Sequence, residues 1–97
     1  MIVSFKDAGT KDVFYGRSTR EARRACPPEL LRVAIRKLEA LDSAAALLDL
    51  RAPPGNELEK LVGDRCGQYS IRINRQYRVC FDWTPKGPAG VEIVDYH

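Results

Sequence analysis

The sequence contains little of the chemistry that usually identifies an enzyme. Its 97 residues include one histidine, His97, and three widely spaced cysteines, Cys26, Cys66 and Cys80. An odd number of cysteines without a Cys-x-x-Cys pair argues against a disulfide framework, and a single histidine argues against a zinc site. We therefore expect buried, reduced thiols and no bound metal.

Long apolar runs are also missing. No stretch approaches the roughly 20 apolar residues that span a bilayer, and Lys6 and Asp7 interrupt the N-terminal run before a signal-like core develops. We expect a cytoplasmic protein with no membrane partner. Because phosphate loops, dinucleotide fingerprints and internal repeats are absent too, we expect no cofactor. The length and a hydrophobic content of 44% predict one domain over residues 1–97.

The positive charge is unevenly distributed along the chain. A net charge of +3 is too small to indicate nucleic-acid binding by itself. However, the segment 65–78 contains four arginines and no acid, and the segment 17–37 contains seven basic residues against Glu21 and Glu29. Two basic patches are predicted. They are either solvated faces of a hairpin and a helix or surfaces that contact RNA phosphates.

Hydrophobic spacing predicts mainly helices in the first half of the chain. The apolar run at residues 2–5 suits a first strand, and Thr10 is a candidate cap for a short helix that Gly16 ends. The segment 18–28 is polar and ends in two prolines, which favours a loop or a frayed turn. From Glu29 a long helix is predicted, with its apolar stripe formed by Leu30, Leu31, Ala34, Ile35, Leu38 and Leu41. A second helical segment, residues 43–50, would start after a cap at Asp42 or Ser43.

The second half changes to a period of two. Apolar and polar residues alternate over 68–83, which predicts a hairpin that turns near Asn74 to Gln76, and residues 91–97 supply a last strand. The alternation places Arg72 and Arg78 side by side on the face away from the core. The whole pattern predicts an α+β domain with helices on one face of an antiparallel sheet.

One sequence motif resembles a known family. The residues from Leu61 to Phe81 read L-x-G-D-R-x-G-x-Y-S-I-R-I-N-x-Q-Y-R-V-x-F, and the sequence closes on Asp95, Tyr96 and His97. Both features resemble the HigB branch of the RelE/ParE toxin superfamily. The resemblance implies a small RelE-like α+β fold, with an N-terminal strand and helices on one face of a small antiparallel sheet. It also implies ribosome-dependent mRNA cleavage and a HigA-like antitoxin partner with a helix-turn-helix.

The resemblance also implies which residues form the site. The terminal Asp95, Tyr96 and His97 match a catalytic triplet of the family, Arg78 matches its active-site arginine, and Gln76 stands where the family has a polar amide. The loop before the hairpin departs from the family pattern. Glu59 replaces a histidine and Val62 replaces a lysine, so Lys60 is a shifted substitute for the missing cation.

A metal-free ribonuclease must take a proton from the 2′-OH, stabilise charge on the phosphate and protonate the leaving 5′-oxygen. We expect Glu59 to be the base, Arg78 to stabilise the phosphate, and His97, as an imidazole that titrates near neutral pH, to be the acid. Tyr96 either stacks on a base or packs as an edge aromatic, and Asp95 either orients His97 or only ends the strand. Glu59 could equally be a surface carboxylate.

Five further residues are expected to bind RNA: Lys60, Arg65, Arg72, Arg75 and Gln76. Arg65 has an alternative role, in which it braces the turn through a carboxylate. Two other functions stay open on the sequence alone. One is a ParE-like toxin that inhibits DNA gyrase, and the other is a nonenzymatic RNA-binding regulator. The terminal histidine favours the nuclease, because a gyrase inhibitor has no need of an imidazole beside arginines.

Overall fold

A computed structural model describes residues 1–96 of the chain. Three α-helices occupy the first half of this range: α1 (Ala8–Phe14), α2 (Arg20–Ala25) and α3 (Leu31–Ser43). Short 3-10 turns follow or precede them at 28–30, 47–51, 54–56 and 63–65. The described strands are β1 (Glu59–Lys60), β2 (Gln68–Arg72), β3 (Tyr77–Thr84) and β4 (Gly87–Asp95). They form an antiparallel sheet in the order β1-β2-β3-β4.

The predicted N-terminal strand is reduced to a single bridge. Phe5 pairs with Val91 in parallel, and flanking backbone bonds join Val3 to Pro88 at 2.7 Å and Lys6 to Val91 at 2.9 Å. The pairing ends there because the next residue, Asp7, already caps α1. The segment therefore lies along β4 without becoming a regular strand.

The start of α1 also differs from the prediction. The cap is Asp7, whose carboxylate accepts a hydrogen bond from the Thr10 amide at 2.6 Å. Thr10 lies inside the helix and is fully buried, and its hydroxyl accepts a bond from the Ile93 amide at 3.0 Å. Thr10 thus ties α1 to β4. Gly16 follows the helix with a φ of +71°, which confirms the predicted stop.

The predicted loop over 18–28 is wrong, because it contains α2. Thr19 caps this helix by accepting a bond from the Ala22 amide at 3.0 Å, and Glu21 lies in its first turn, where a negative charge is favourable. Gly9 of α1 allows the close approach of the two helices, since a β-carbon there would overlap the Glu21 carbonyl. The polar composition of α2 reflects its exposure, with only Ala22 buried.

The long predicted helix is confirmed, but the segment after it is not a second α-helix. Helix α3 includes Ser43, so neither candidate residue caps a new helix. A 3-10 turn follows at 47–51, and the Asp49 carboxylate accepts bonds from the amides of Ala45 and Ala46, both at 3.0 Å. This local capping replaces the predicted α-helix with a tighter turn.

The core lies between the helices and one face of the sheet. Its buried side chains come from all three helices and from β2, β3 and β4, and include Val13, Ala22, Leu38, Leu41, Ile71, Val79, Phe81 and Val91. No helix among the described residues is long and apolar enough to cross a membrane. Two thiols, Cys26 and Cys80, are buried as expected, but Cys66 is exposed in the turn before β2, which contradicts that part of the prediction.

Candidate active site

The strand register brings the predicted arginines together. Arg72 of β2 pairs directly with Arg78 of β3, and Arg78 pairs with Val94 of β4. Two positions before Arg72 on β2, Ser70 pairs with Glu59 of β1. Because partners in register share a face and alternate residues share a side, Glu59, Arg72 and Arg78 belong to one face of the sheet. The predicted juxtaposition of the two arginines is confirmed.

Arg78 differs from an arginine on an open face, because it is only 8% exposed. Its Nε donates to the Ser70 hydroxyl at 2.7 Å, and one terminal nitrogen, Nη2, donates to the Glu57 carbonyl and, at 3.5 Å, to the Ser70 carbonyl. Among the described residues, Nη1 has no hydrogen-bond partner. The guanidinium is therefore held firmly by the protein and offers one nitrogen to a ligand.

Arg72 is held more loosely. Its Nε donates to the Asn74 carbonyl at 3.1 Å, and its Nη1 forms an ion pair with the Glu57 carboxylate at 3.1 Å. The Arg72 side chain is 36% exposed, so water competes for this pair. The two neighbouring arginines thus differ in mobility and in access.

Glu57 contacts both arginines, although no sequence pattern predicted it as a site residue. It has a φ of 44° and a ψ of 58°, a left-handed conformation that is uncommon for a residue with a side chain. Its carbonyl accepts from Arg78 and its carboxylate pairs with Arg72. Pro53, Pro54 and Gly55 are residues typical of a loop, but no sequence signal indicated that the next acidic residue would turn back onto the sheet.

The two predicted loop residues, Glu59 and Lys60, are directed to opposite faces of the sheet. Glu59 is exposed in the short edge strand β1, in the row next to the arginines. Lys60 is the next residue and pairs with Tyr69, a position whose neighbours belong to the core face. Lys60 is exposed as well, but the alternation of the strand directs it away from the face that carries Arg72 and Arg78.

The end of β4 is fastened to the β2–β3 turn. The Gln76 side-chain amide donates to the Asp95 carboxylate at 2.9 Å, and the Tyr96 amide donates to the Gln76 carbonyl at 2.7 Å. Tyr96 is 45% exposed, and Arg75 is exposed at the tip of the same turn. The predicted acid, His97, lies outside the described residues, but the residues that lead to it are fixed beside the hairpin.

Arg65 makes the bracing contact with a carboxylate, which is one of its two predicted roles. Its Nη1 donates to the Glu92 carboxylate at 2.8 Å and to the Gln68 side-chain oxygen at 3.1 Å. The bond to Glu92 raises the pKa of Arg65, against the effect of burial. A shallow depression of about 400 Å³ joins this brace to the end of β4, and it is lined by Val62, Asp64, Arg65, Val94, Asp95 and Tyr96.

The site residues carry no arrangement typical of a metal centre. Within residues 1–96, no group of three or more histidine, cysteine, aspartate or glutamate side chains is placed to hold a metal ion. The charged groups that do converge are arginines with single carboxylates between them. Such a surface is suited to an anionic ligand, since guanidinium groups bind phosphate oxygens by geometry as well as charge.

Comparisons with known proteins find matches over most of the chain. Residues 3–97 match the family described as RelE-like toxin of type II toxin-antitoxin system HigB. Toxin HigB-1 of Vibrio cholerae serotype O1 is 45% identical over 83 residues, which cover 86% of this chain and 84% of that protein. An uncharacterized protein of Haemophilus influenzae is 40% identical over 57 residues, 59% of this chain and 56% of that protein.

A solved structure with a similar fold is the YoeB–YefM complex from Staphylococcus aureus. It superimposes with a TM-score of 0.60 over 100% of this chain and 98% of the matched chain, at 16% sequence identity. At this identity the likeness shows the fold alone. It confirms the predicted RelE-like α+β class.

Proposed function

Because the chain belongs to the HigB-like family of RelE-like toxins of type II toxin-antitoxin systems, we propose that it is a ribosome-dependent mRNA endonuclease that inhibits translation. The observation that carries this proposal is the convergence of Glu59, Arg72 and Arg78 on one face of the sheet. A carboxylate next to two guanidinium groups provides a proton acceptor beside a phosphate-binding surface.

The reaction that suits these groups is internal transfer at phosphorus. Glu59 takes the proton of the 2′-OH, whose oxygen attacks the adjacent phosphorus, and His97 donates a proton to the leaving 5′-oxygen. The products are a 2′,3′-cyclic phosphate and a free 5′-OH. Arg78 stabilises the negative charge that grows on the nonbridging oxygens, because its Nη1 has no hydrogen-bond partner within residues 1–96.

The remaining predicted residues divide into binding and support. Arg72 and Arg75 supply positive charge to the RNA backbone, and Tyr96 is exposed and available to stack on a base. Lys60 is directed to the other face of the sheet, so we do not assign it to this contact. Gln76 positions the end of β4 through Asp95, so we assign it to support as well as to RNA contact. Arg65 supports the turn through Glu92.

The proposed need for the ribosome is explained by the low net charge of the chain. A chain with a net charge of +3 gains little affinity from a short mRNA segment, whereas ribosomal RNA presents many phosphates at once. We assign this contact to the exposed basic residues of 17–37, which lie on α2, on α3 and, for Arg17, in the turn before α2. Lys37 is excluded because it is buried. Membership in a type II toxin-antitoxin family supports an antitoxin partner, and we propose that this antitoxin is HigA-like, with a helix-turn-helix.

The test is a reconstituted translation reaction with one defined mRNA, read by primer extension. We expect cleavage within the mRNA on translating ribosomes, little cleavage of the same mRNA without ribosomes, and loss of cleavage with Glu59→Gln. Glu39→Gln is the matched control, because it makes the same charge change at an exposed position of α3. Efficient cleavage of free mRNA would refute ribosome dependence.

A gyrase supercoiling assay with the same preparations separates the nuclease from a ParE-like inhibitor. Inhibition of supercoiling at concentrations that leave translation intact would overturn the proposal. Normal ribosome binding without cleavage by the unaltered chain would instead favour a nonenzymatic regulator.

A further inference from the structure

The segment before β1 is locked by Asn56. This residue is fully buried, its side-chain nitrogen donates to the carbonyls of Leu50 and Ala52, both at 3.1 Å, and its side-chain oxygen accepts from Lys37 of α3. Two bonds to the end of the 3-10 turn at 47–51 and one to α3 leave this residue little freedom. The following residue, Glu57, is therefore placed by the scaffold rather than by its own exposed side chain.

Glu57 uses two different groups on the two arginines. The backbone carbonyl accepts from Arg78, whereas the carboxylate pairs with Arg72. A left-handed conformation costs energy for a residue with a side chain. Here the contacts of Asn56 on one side and of Arg78 on the other offset that cost. The carbonyl contact is partly buried, whereas the carboxylate is half exposed and can be displaced.

The surroundings of this carboxylate are positive. Lys37 is only 9% exposed, and burial lowers the pKa of its ammonium, with further effects from the charges of Arg36 and Arg72. Lys37 donates to the neutral Asn56 amide. Lys37, Arg78 and Arg72 thus each contact the segment of Asn56 and Glu57, and the Glu57 carboxylate is paired with Arg72.

We propose that the Glu57 carboxylate occupies a phosphate subsite of the RNA surface, in which Arg72 is the direct ligand and Lys37 adds positive charge. When RNA binds, a nonbridging phosphate oxygen takes the place of Glu57 Oε2 on Arg72, and the Glu57 carbonyl continues to hold Arg78. Glu57 therefore positions Arg78 through its carbonyl and keeps Arg72 paired until RNA binds. This inference rests on the proposed function for the identity of its ligand, an RNA phosphodiester.

The experiment measures binding without catalysis. A fluorescent single-stranded 2′-O-methyl oligoribonucleotide, which has no 2′-OH to attack phosphorus, is titrated with the full chain at low ionic strength and followed by anisotropy. Glu57→Gln keeps the side-chain shape but removes the competing charge. We expect it to bind about threefold more tightly than the unaltered chain, in the range of one exposed ion pair.

Salt dependence distinguishes displacement from a change in structure. In the unaltered chain, the displaced Glu57 carboxylate stays near the phosphate and offsets the charge of Arg72. In Glu57→Gln the full charge of Arg72 neutralises the phosphate and releases the cation condensed on it. The slope of log affinity against log salt should then become steeper by about 0.7, the increment for one phosphate contact on a single strand. Adding Arg72→Ala to Glu57→Gln should remove both the gain and the added slope.

The matched control is Glu39→Gln, which changes the net charge equally on exposed α3. An equal gain in that control, or no gain in Glu57→Gln, would overturn the proposal. The result is independent of cleavage. A gain in binding without ribosomal cleavage would refute the proposed function alone, and cleavage without the gain would refute the phosphate subsite alone.

Discussion

Replacement of Arg78 should lower the stability of the folded protein as well as the proposed activity. The side chain is buried, and its Nε and Nη2 donate to the Ser70 hydroxyl and the Glu57 carbonyl. Hydrogen bonds from charged donors contribute about 1.5–3 kcal/mol each. We expect Arg78→Ala to lower the free energy of unfolding by about 3 kcal/mol, which corresponds to a fall in melting temperature of about 12 °C or more for a chain of this size.

Ser70 provides the control for this magnitude. Ser70→Ala removes the acceptor of Nε and should cost about 1–2 kcal/mol, whereas the double variant should cost less than the two single losses added together. Urea denaturation at neutral pH measures each term. A normal melting temperature for Arg78→Ala, or strict additivity with Ser70→Ala, would refute the view that these groups stabilise each other.

Three further outcomes can be tested. His97→Gln should abolish growth inhibition and leave the melting temperature unchanged, because the proposed role of this residue is proton transfer; a fully toxic variant would exclude that role. Brief alkylation followed by peptide mass spectrometry should modify exposed Cys66 but not Cys26 or Cys80, because both of these are buried and burial raises their pKa, for Cys26 to about 11. Burial lowers the pKa of Lys37 from 10.5, so between the folded and unfolded values the unfolded chain binds more protons and this residue makes stability rise with pH. Subtracting the urea-derived free energy of unfolding of Lys37→Met from that of the unaltered chain, at successive pH values below 10.5, should isolate that rise. A pH-independent difference would contradict it.

The sheet was predictable because its signal is local. Alternation over residues 68–83 predicted the strands and placed the turn at Asn74 to Gln76, and the period of two predicted that Arg72 and Arg78 would be neighbours. The helical stripe of α3 was equally plain. In both cases the buried side chains repeat with the period of the element, so the pattern reflects the packing directly.

The errors concern short elements whose structure depends on caps or distant contacts. Helix α2 has one buried residue, Ala22, and therefore almost no apolar period, so its polar residues resembled a loop. Thr10 was taken for a cap, but its hydroxyl bonds to the Ile93 amide, 83 positions away. Spacing along the chain contains no information on a contact of that range.

The same limit applies to the candidate site. The arginines and Glu59 could be identified because they lie on regular strands or in a family motif, whereas Glu57 acts through its backbone carbonyl and a left-handed turn. Its conformation is imposed by Asn56, which is in turn held by Lys37 of α3. No local pattern connects residues 19 positions apart through a buried amide.

The contrast between the two arginines explains why such a small surface suits phosphate chemistry. Arg78 is oriented before any ligand arrives, because the protein already satisfies its Nε and Nη2. Donors that are fixed in advance stabilise developing charge without reorganising during the reaction. Arg72 is paired with an exposed carboxylate, so under the proposed function it exchanges partners when RNA binds and holds the RNA chain rather than the transition state. Glu57 makes this division possible, since one residue holds the first arginine with a group that cannot leave and the second with a group that can.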